Sequence, residues 1–247
     1  MRGKKNFSYA GQTFVFALIL SVSLLSVCAV FYRFDPLREK GDLTASAGET
    51  DTPSVILDAG HGGMDSGAVS VLGDEEKDLN LEMVKKLGAF LEAGGVRVIY
   101  TRTEDEMLSS QREGSRKTKD LIRRVEIASE NPDAIFVSVH MNTLPIEKYA
   151  GFQVFYADRN SGNRALAQVM QNTVCSLVQP DNHRKAKDAA GGIYILDRIC
   201  QPAILIECGF LSNYREAQLL RDEEYQSKLA YSIAQPILDF ALDREKN

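Results

Sequence analysis

The chain has 247 residues, of which 44% are hydrophobic and 26% are charged, and its formal net charge is -5. This composition is typical of one globular domain with an appendage, and it excludes a disordered chain or a repeat array. A protein with this net negative charge lacks the basic surface that would neutralise phosphates, so nucleic acid is not an expected partner.

An uncharged apolar run lies near the start of the chain. Residues 14–32 carry no charge, and Arg2, Lys4 and Lys5 precede them. As a helix the run would span about 28 Å, close to the hydrocarbon thickness of a bilayer. Cationic residues ahead of such a run favour a cytosolic N-terminus. We therefore predict a membrane anchor with the rest of the chain outside the cytoplasm, a cleaved signal peptide being the alternative.

A polar tether is predicted between the anchor and the folded domain. Residues 34–52 are polar and contain Pro36, Gly41 and Gly48, which is typical of a flexible linker. The catalytic domain is predicted to occupy residues 53–247. Its short apolar runs alternate with longer amphipathic ones, which indicates an α/β layer architecture.

Six strands and four helices are predicted within this domain. The strands are residues 55–58, 96–101, 134–139, 152–156, 193–196 and 203–207. The helices are residues 77–92, 121–129, 163–177 and 224 to about 242. Several strands are apolar throughout, as expected of interior strands that helices cover on both faces.

Two of the three histidines follow predicted strands. His61 lies in the glycine-rich turn of VILDAGHGGMDSG, and His140 follows IFVSV. Because ligands bind at the carboxyl edge of open α/β sheets, we expect the two rings to meet there and to favour a metal site. A phosphate-binding loop fits poorly, since Asp65 stands where a glycine is needed and no Walker lysine follows. His183 is expected at the surface.

Two carboxylates complete the predicted chemistry. A hydrolytic zinc site needs three nitrogen or oxygen ligands and an open position. Glu76, at the start of the first helix, could be the third ligand, with Asp74 and Glu75 as alternatives. Glu207 ends a nearly all-apolar strand, where burial is costly unless a cation compensates the charge. We predict that Glu207 takes a proton from water and passes it to the leaving amine.

The segments DAGHGGMDSGA, EKDLNL, YTRTED, FVSVHMN, GFQVFY and ILIECGFLSN occur in this order. Together they resemble the zinc-dependent N-acetylmuramoyl-L-alanine amidases of the Amidase_3 type over about residues 54–242. The resemblance implies a twisted, mainly parallel six-stranded sheet flanked by helices. It also implies one zinc ion per chain on His61, Glu76 and His140, with Glu207 catalytic. The bond cut would join the lactyl group of N-acetylmuramic acid to L-alanine in peptidoglycan.

Two further segments, SRKTKDLIRR and RKAKDAAGGIYIL, resemble the germination-specific branch of this family. The single predicted anchor and the absence of wall-binding repeats agree with that branch. It acts with a deacetylase to form muramic-δ-lactam in the spore cortex, which would place the domain in the cell envelope, in the forespore intermembrane space. Some members depend on a lipoprotein activator, which is therefore a partner that the resemblance implies.

Five further side chains are candidates for substrate binding or support, namely Arg102, Arg124, Asn142, Arg184 and Lys185. The arginines at 102 and 124 could bind substrate carboxylates or form structural ion pairs. The basic pair at 184 and 185 could meet a stem peptide or belong to a solvated loop. The asparagine could assist by hydrogen bonding or only complete a turn.

Other functions remain open from the sequence. The same fold could serve as a non-catalytic wall-binding scaffold, or the metal site could cut the stem peptide instead. A cysteine hydrolase that pairs Cys208 with His140 would leave Glu207 and His61 without a role. The cysteines form no CxxC pair, so no obligatory disulfide set is predicted.

Overall fold

The structure is a computed structural model that describes residues 52–109, 116–189 and 191–244. The predicted membrane anchor and the predicted linker up to residue 51 lie outside these ranges. Within the described ranges, none of the helices combines the length and the apolar character that crossing a membrane requires.

Six strands and five helices make up the described part of the chain. In order they are β1 (Ser54–Ala59), α1 (Glu76–Ala93), β2 (Arg97–Tyr100), α2 (Arg116–Ser129), β3 (Ile135–Asn142), β4 (Gln153–Tyr156), α3 (Ser161–Leu177), β5 (Lys187–Asp188), β6 (Ala203–Phe210), α4 (Tyr214–Leu220) and α5 (Glu223–Arg244). The strands form one sheet in the order β2-β1-β3-β6-β4-β5. Only the β4 and β6 pairing is antiparallel, which confirms a mainly parallel six-stranded sheet.

The sheet is covered on both faces. Val55 and Leu57 of β1 pack in a buried cluster with residues of α1, α3 and α5, whereas Ile56 between them packs in a second cluster with α2. Successive side chains of a strand point to opposite faces, so the apolar run of β1 serves both clusters. The three-layer α/β architecture is thereby confirmed.

One predicted strand is wrong. Residues 193–196 form a chain of turns, in which the amide of Asp197 donates to the carbonyl of Ile193 at 3.1 Å. Ile195 and Leu196 are buried in the cluster beside α2, so the segment is apolar because it covers the sheet rather than joins it. A short apolar run cannot be assigned to a strand by its pattern alone. The sixth strand is instead β5, two exposed residues at the sheet edge.

The predicted helices are all present, with shifted ends. Helix α2 begins at Arg116, earlier than expected, and the short helix α4 was not predicted. The Asn213 side chain caps α4 by accepting from the amide of Glu216 at 3.1 Å. Helix α1 ends at Ala93, before the pair Gly94 and Gly95, and Gly95 has a φ of 86° that glycine adopts without strain.

Strands β3 and β6 run past their predicted ends. His140 and Glu207 therefore lie inside strands, and they are paired across the β3 and β6 ladder. The register shifts between His140 and Asn142, which is a β-bulge or a similar irregularity. His61 lies just past the end of β1, as predicted. These three positions share the carboxyl edge of neighbouring parallel strands.

Candidate metal centre

The structure brings together the three predicted metal ligands. His61, Glu76 and His140 each offer one ligand atom, and these atoms lie within 4.8 Å of one another. Oε1 of Glu76 is 3.1 Å from Nε2 of His61 and 2.9 Å from Nδ1 of His140. Two imidazoles and one carboxylate form a donor set that suits zinc in hydrolytic sites. The residues could therefore hold one divalent ion.

Backbone and side-chain donors fix the carboxylate of Glu76. Its Oε2 accepts from the amide of Ala68 at 2.9 Å, and its Oε1 accepts from the amide of Met141 at 3.2 Å. The side-chain amide of Asn80 adds a longer bond to Oε1 at 3.4 Å. The residue is 4% exposed. Glu76 thus cannot rotate away without leaving several buried donors unpaired.

The charge of Glu76 is stabilised by its neighbours. Burial alone would raise the pKa of Glu76, but hydrogen bonds from His140 and His61 hold it well below its ordinary value. The alternatives are occupied elsewhere, since Asp74 accepts from Ser70 and Glu75 pairs with Lys77. Glu76 is therefore the carboxylate that the fold presents to both rings.

His61 is oriented by a second carboxylate. Its Nδ1 lies 2.9 Å from Oδ2 of Asp65, so Nε2 is the nitrogen that faces Glu76. A carboxylate that binds the far nitrogen of a ligand histidine fixes the tautomer and the ring orientation. Burial would lower the pKa of His61, but hydrogen bonds to Glu76 and Asp65 raise it overall.

His140 packs directly on the backbone of the glycine-rich turn. A Cβ added to Gly60 would lie 2.2 Å from Cε1 of His140 and 2.4 Å from its Nε2. Gly67 makes a similar close approach, since a Cβ there would lie 2.6 Å from Oε2 of Glu76. Because glycine has no Cβ atom at these two positions, the side chains of His140 and Glu76 can occupy that space.

Glu207 lies beside this cluster, and no residue in the described part of the chain forms an ion pair with it. It is paired with His140 on the neighbouring strand, so both side chains lie on the same face of the sheet. Its Oε2 is buried and has no hydrogen-bond partner among the described residues. Burial, and then the charge of Glu76, raise the pKa of Glu207 to about 8. An ionised Glu207 needs added positive charge here, and a divalent ion on the three ligands would supply it.

The two candidate arginines face inward. Arg102 and Arg124 are each 2% exposed. Arg102 donates to the carbonyls of Ala59, Gly60 and Lys77 at 3.0, 3.1 and 2.7 Å. Arg124 is enclosed by carboxylates and carbonyls. The geometry favours the supporting role for both over contact with a substrate.

The remaining candidates are nearer the surface. Nε of Arg184 donates to the carbonyl of Ala150 at 2.7 Å, and its guanidinium lies 4.7 Å from the ring centroid of Phe210. Lys185 is exposed on the loop before β5, and Asn142 ends β3 partly exposed. Their part in substrate binding stays a prediction.

Several supporting residues were missed at the level of sequence, among them Asp65 and Asn80. Asp65 was considered only as a departure from a phosphate-loop pattern, and Asn80 was not considered. The signal for Asn80 was its position four residues after Glu76, which places both side chains on one helix face. Besides bonding Glu76, Asn80 donates to the carbonyl of Gly60 at 3.1 Å. It thereby ties α1 to the turn that carries His61.

Cys208 is a poor candidate for a nucleophile. It is fully buried, and burial together with the charges of Glu207 and Glu76 raises its pKa far above the ordinary value. A reactive cysteine needs the opposite, an electropositive and partly exposed setting. Cys175, Cys200 and Cys208 are free thiols among the described residues.

Comparisons with known proteins agree with this geometry. Residues 55–239 match the family model described as N-acetylmuramoyl-L-alanine amidase, Amidase_3. The chain is 36% identical over 197 residues to the germination-specific N-acetylmuramoyl-L-alanine amidase of Bacillus subtilis, covering 77% of this chain and 80% of that protein.

Solved structures give the same result. The CwlD amidase of Clostridioides difficile, in complex with the GerS lipoprotein, is 36% identical with a TM-score of 0.73, over 78% of this chain and 100% of that one. An N-acetylmuramoyl-L-alanine amidase from Clostridium difficile 630 is 32% identical with a TM-score of 0.66, over 78% and 97%. This chain belongs to the N-acetylmuramoyl-L-alanine amidase family and is a hydrolase of that activity.

Proposed function

We propose that the chain is a single-zinc amidase that cuts the bond between N-acetylmuramic acid and L-alanine of peptidoglycan. His61, Glu76 and His140 are the proposed ligands. The observation that carries the proposal is their convergence from three separate elements to within 4.8 Å. When bound, zinc would polarise the scissile carbonyl and acidify the attacking water.

Glu207 is the proposed general base and acid. Its buried, unpartnered Oε2 lies on the same sheet face as His140, so it can accept a proton from a water at the site. The protonated carboxyl can then donate to the amide nitrogen as the bond to it breaks. Burial raises the pKa of Glu207 and so favours the protonated carboxyl that this second step needs.

A groove at the same edge of the sheet could accommodate substrate. It has a volume of about 660 Å³. Its lining includes Thr143 and Leu144, which follow β3, and Ser212 and Tyr214, which follow β6. The amide of Leu144 donates to Ser212 at 3.1 Å, which joins the two walls. We propose that part of the peptidoglycan lies here.

The test compares three variants on purified peptidoglycan. Glu207→Gln should keep zinc and lose turnover, His140→Ala should lose zinc, and Glu224→Gln, at an exposed site on α5, should change neither. The readouts are bound metal and newly freed L-alanine amino termini, with mass spectrometry to place the cut. Full turnover by Glu207→Gln would contradict the proposed role. Products cut inside the stem peptide would instead indicate a peptidase.

We also propose a role in the spore cortex, with the domain held outside the cytoplasm by residues 14–32. The similarity to a germination-specific amidase and to an amidase in complex with a lipoprotein supports this proposal. Incubation with cortex peptidoglycan and a muramate deacetylase should then yield muramic-δ-lactam. Co-elution with a purified cognate lipoprotein on size-exclusion chromatography tests the partner.

A further inference from the structure

His61 has an unusual backbone conformation for a metal ligand. Its φ of 62° makes it the one non-glycine residue with a positive φ in the described part of the chain. The left-handed region is strained for an L-residue, because its Cβ atom comes too close to the following carbonyl oxygen. Such a conformation persists only where the surroundings hold it. The contacts of this turn should therefore show what keeps His61 in place.

One of those contacts comes from helix α2. Nη2 of Arg124 donates to the carbonyl oxygen of His61 at 2.7 Å, and Nη1 donates to the carbonyl of Ala59 at 2.8 Å. The guanidinium thus bonds the backbone on both sides of Gly60. Arg124 therefore joins the exit of β1, which Arg102 also contacts, to the backbone of His61.

The guanidinium is itself fixed on its other edges. Its Nε donates to Oδ2 of Asp120 at 2.8 Å, and Nη1 also pairs with Oδ1 of Asp58. Asp58 is fully buried and accepts from Ser138 at 2.7 Å and from Thr101 at 2.8 Å. Arg124 is therefore fixed between its own helix α2 and the end of β1. Its position is set by the fold and not by solvent.

We infer that Arg124 is a positioning residue for the metal centre, through which the docking of helix α2 sets the affinity for the ion. The inference rests on the proposed function. Arg124 touches no proposed ligand atom, and it acts on His61 only through the backbone. A purely structural ion pair would stabilise the fold without changing metal affinity.

The same contacts predict the reverse effect. If α2 docking favours ion binding, then ion binding must favour α2 docking by the same free energy. Zinc should therefore slow amide hydrogen exchange in α2, although α2 supplies no ligand. Asp120 extends the effect, because its Oδ1 accepts from the amide of Leu108 at 2.7 Å.

The test uses two neighbouring arginines of α2. Arg123 is exposed and pairs with Glu126 and Glu130, so Arg123→Met is the matched control for Arg124→Met. Zinc affinity is measured by competition with a chromophoric chelator, on protein shown to be folded. We expect Arg124→Met to bind zinc about 10- to 100-fold more weakly and Arg123→Met to match the wild type.

Two further variants keep the test decisive if the Arg124→Met protein does not fold. Arg124→Lys keeps the charge, but one ammonium cannot hold both carbonyls and both carboxylates, so its zinc affinity should also fall. Val174→Ala, at a core position on α3, controls for lost stability alone and should keep wild-type affinity. Unchanged affinity in folded Arg124→Lys, or unchanged α2 exchange in wild type on adding zinc, overturns the inference. A wild type that binds no zinc overturns the proposed function as well.

Discussion

Replacing Gly60 by alanine is the sharpest geometric test of the metal centre. A Cβ at this position would lie 2.2 Å from Cε1 of His140, whereas carbon atoms in contact are about 3.5 Å apart. The ring and the turn must therefore separate by about 1.3 Å. Metal-ligand distances tolerate only about 0.2 Å. We expect zinc affinity to fall at least about 100-fold, beyond the effect of losing a supporting residue.

The stability of the variant should change less than its metal affinity. Overpacking costs about 1–3 kcal/mol, which lowers the melting temperature by about 2–12 °C for a domain of this size. Gly95→Ala is the matched control, because it also adds a methyl group near α1 but meets no atom within 4 Å. Gly95→Ala should lower the free energy of unfolding, because an alanine is strained at the positive φ of this position, and it should leave zinc affinity unchanged.

The assay is chelator competition for zinc, with circular dichroism to verify folding. A folded Gly60→Ala protein that binds zinc within about threefold of wild type, a difference of less than 1 kcal/mol, would refute the reasoning. It would mean that the ring of His140 can retreat and still serve as a ligand, or that it is not a ligand.

Three other predictions follow from the site. Asp65→Asn should weaken zinc binding about 10- to 100-fold by freeing the ring of His61, as measured by the same competition assay. In metal-free protein the pKa of Glu207 is raised from 4.5 to about 8, so its contribution to stability is present below about pH 4.5 and lost as pH rises through about 8. The melting temperature of metal-free protein, prepared with a chelator, should therefore fall as pH rises from about 4.5 to about 8, and it should fall less in Glu207→Gln. An equal fall in the two proteins would contradict the raised pKa of Glu207. Ellman's reagent should modify exposed Cys200 and leave buried Cys208 unmodified in the folded protein, and rapid reaction of Cys208 would show that β6 opens.

Sequence patterns singled out the candidate ligands but not the residues that support them. His61, Glu76 and His140 were singled out because histidines and carboxylates next to apolar strands are chemically conspicuous, and the structure brings the three together. Asp58, Asp65 and Asn80 were not singled out because their roles depend on contacts that no local pattern encodes. Asp58, for instance, accepts from Ser138, far along the chain, and the strand pairing decides that contact.

In the fold, too, some elements were predicted from the sequence and others were not. Helices with a long apolar stripe, such as α1 and α3, were predicted nearly to their ends, since periodicity over several turns is a strong signal. The apolar segment 193–196 and the two-residue strand β5 were not, because edge pairing and burial are tertiary choices. The extension of β6 to Phe210 likewise depends on Glu216, whose carboxylate accepts from the amides of Phe210 and Gly151 at 2.7 and 2.8 Å.

The candidate metal centre combines several features that would each lower the stability of the fold in the absence of an ion. His61 adopts a left-handed conformation, and two carboxylates, Glu76 and Glu207, lie near each other in a buried setting. Supporting structure can hold such a site together, and here Arg124 and Asp65 bind His61 while Ala68 and Met141 bind Glu76. A cation relieves the repulsion between the carboxylates but not the backbone strain. Zinc should therefore raise the melting temperature more at pH 8 than at pH 6. At pH 8 the ligand side chains have lost the protons that compete with the ion, and the metal-free site is less stable than at pH 6.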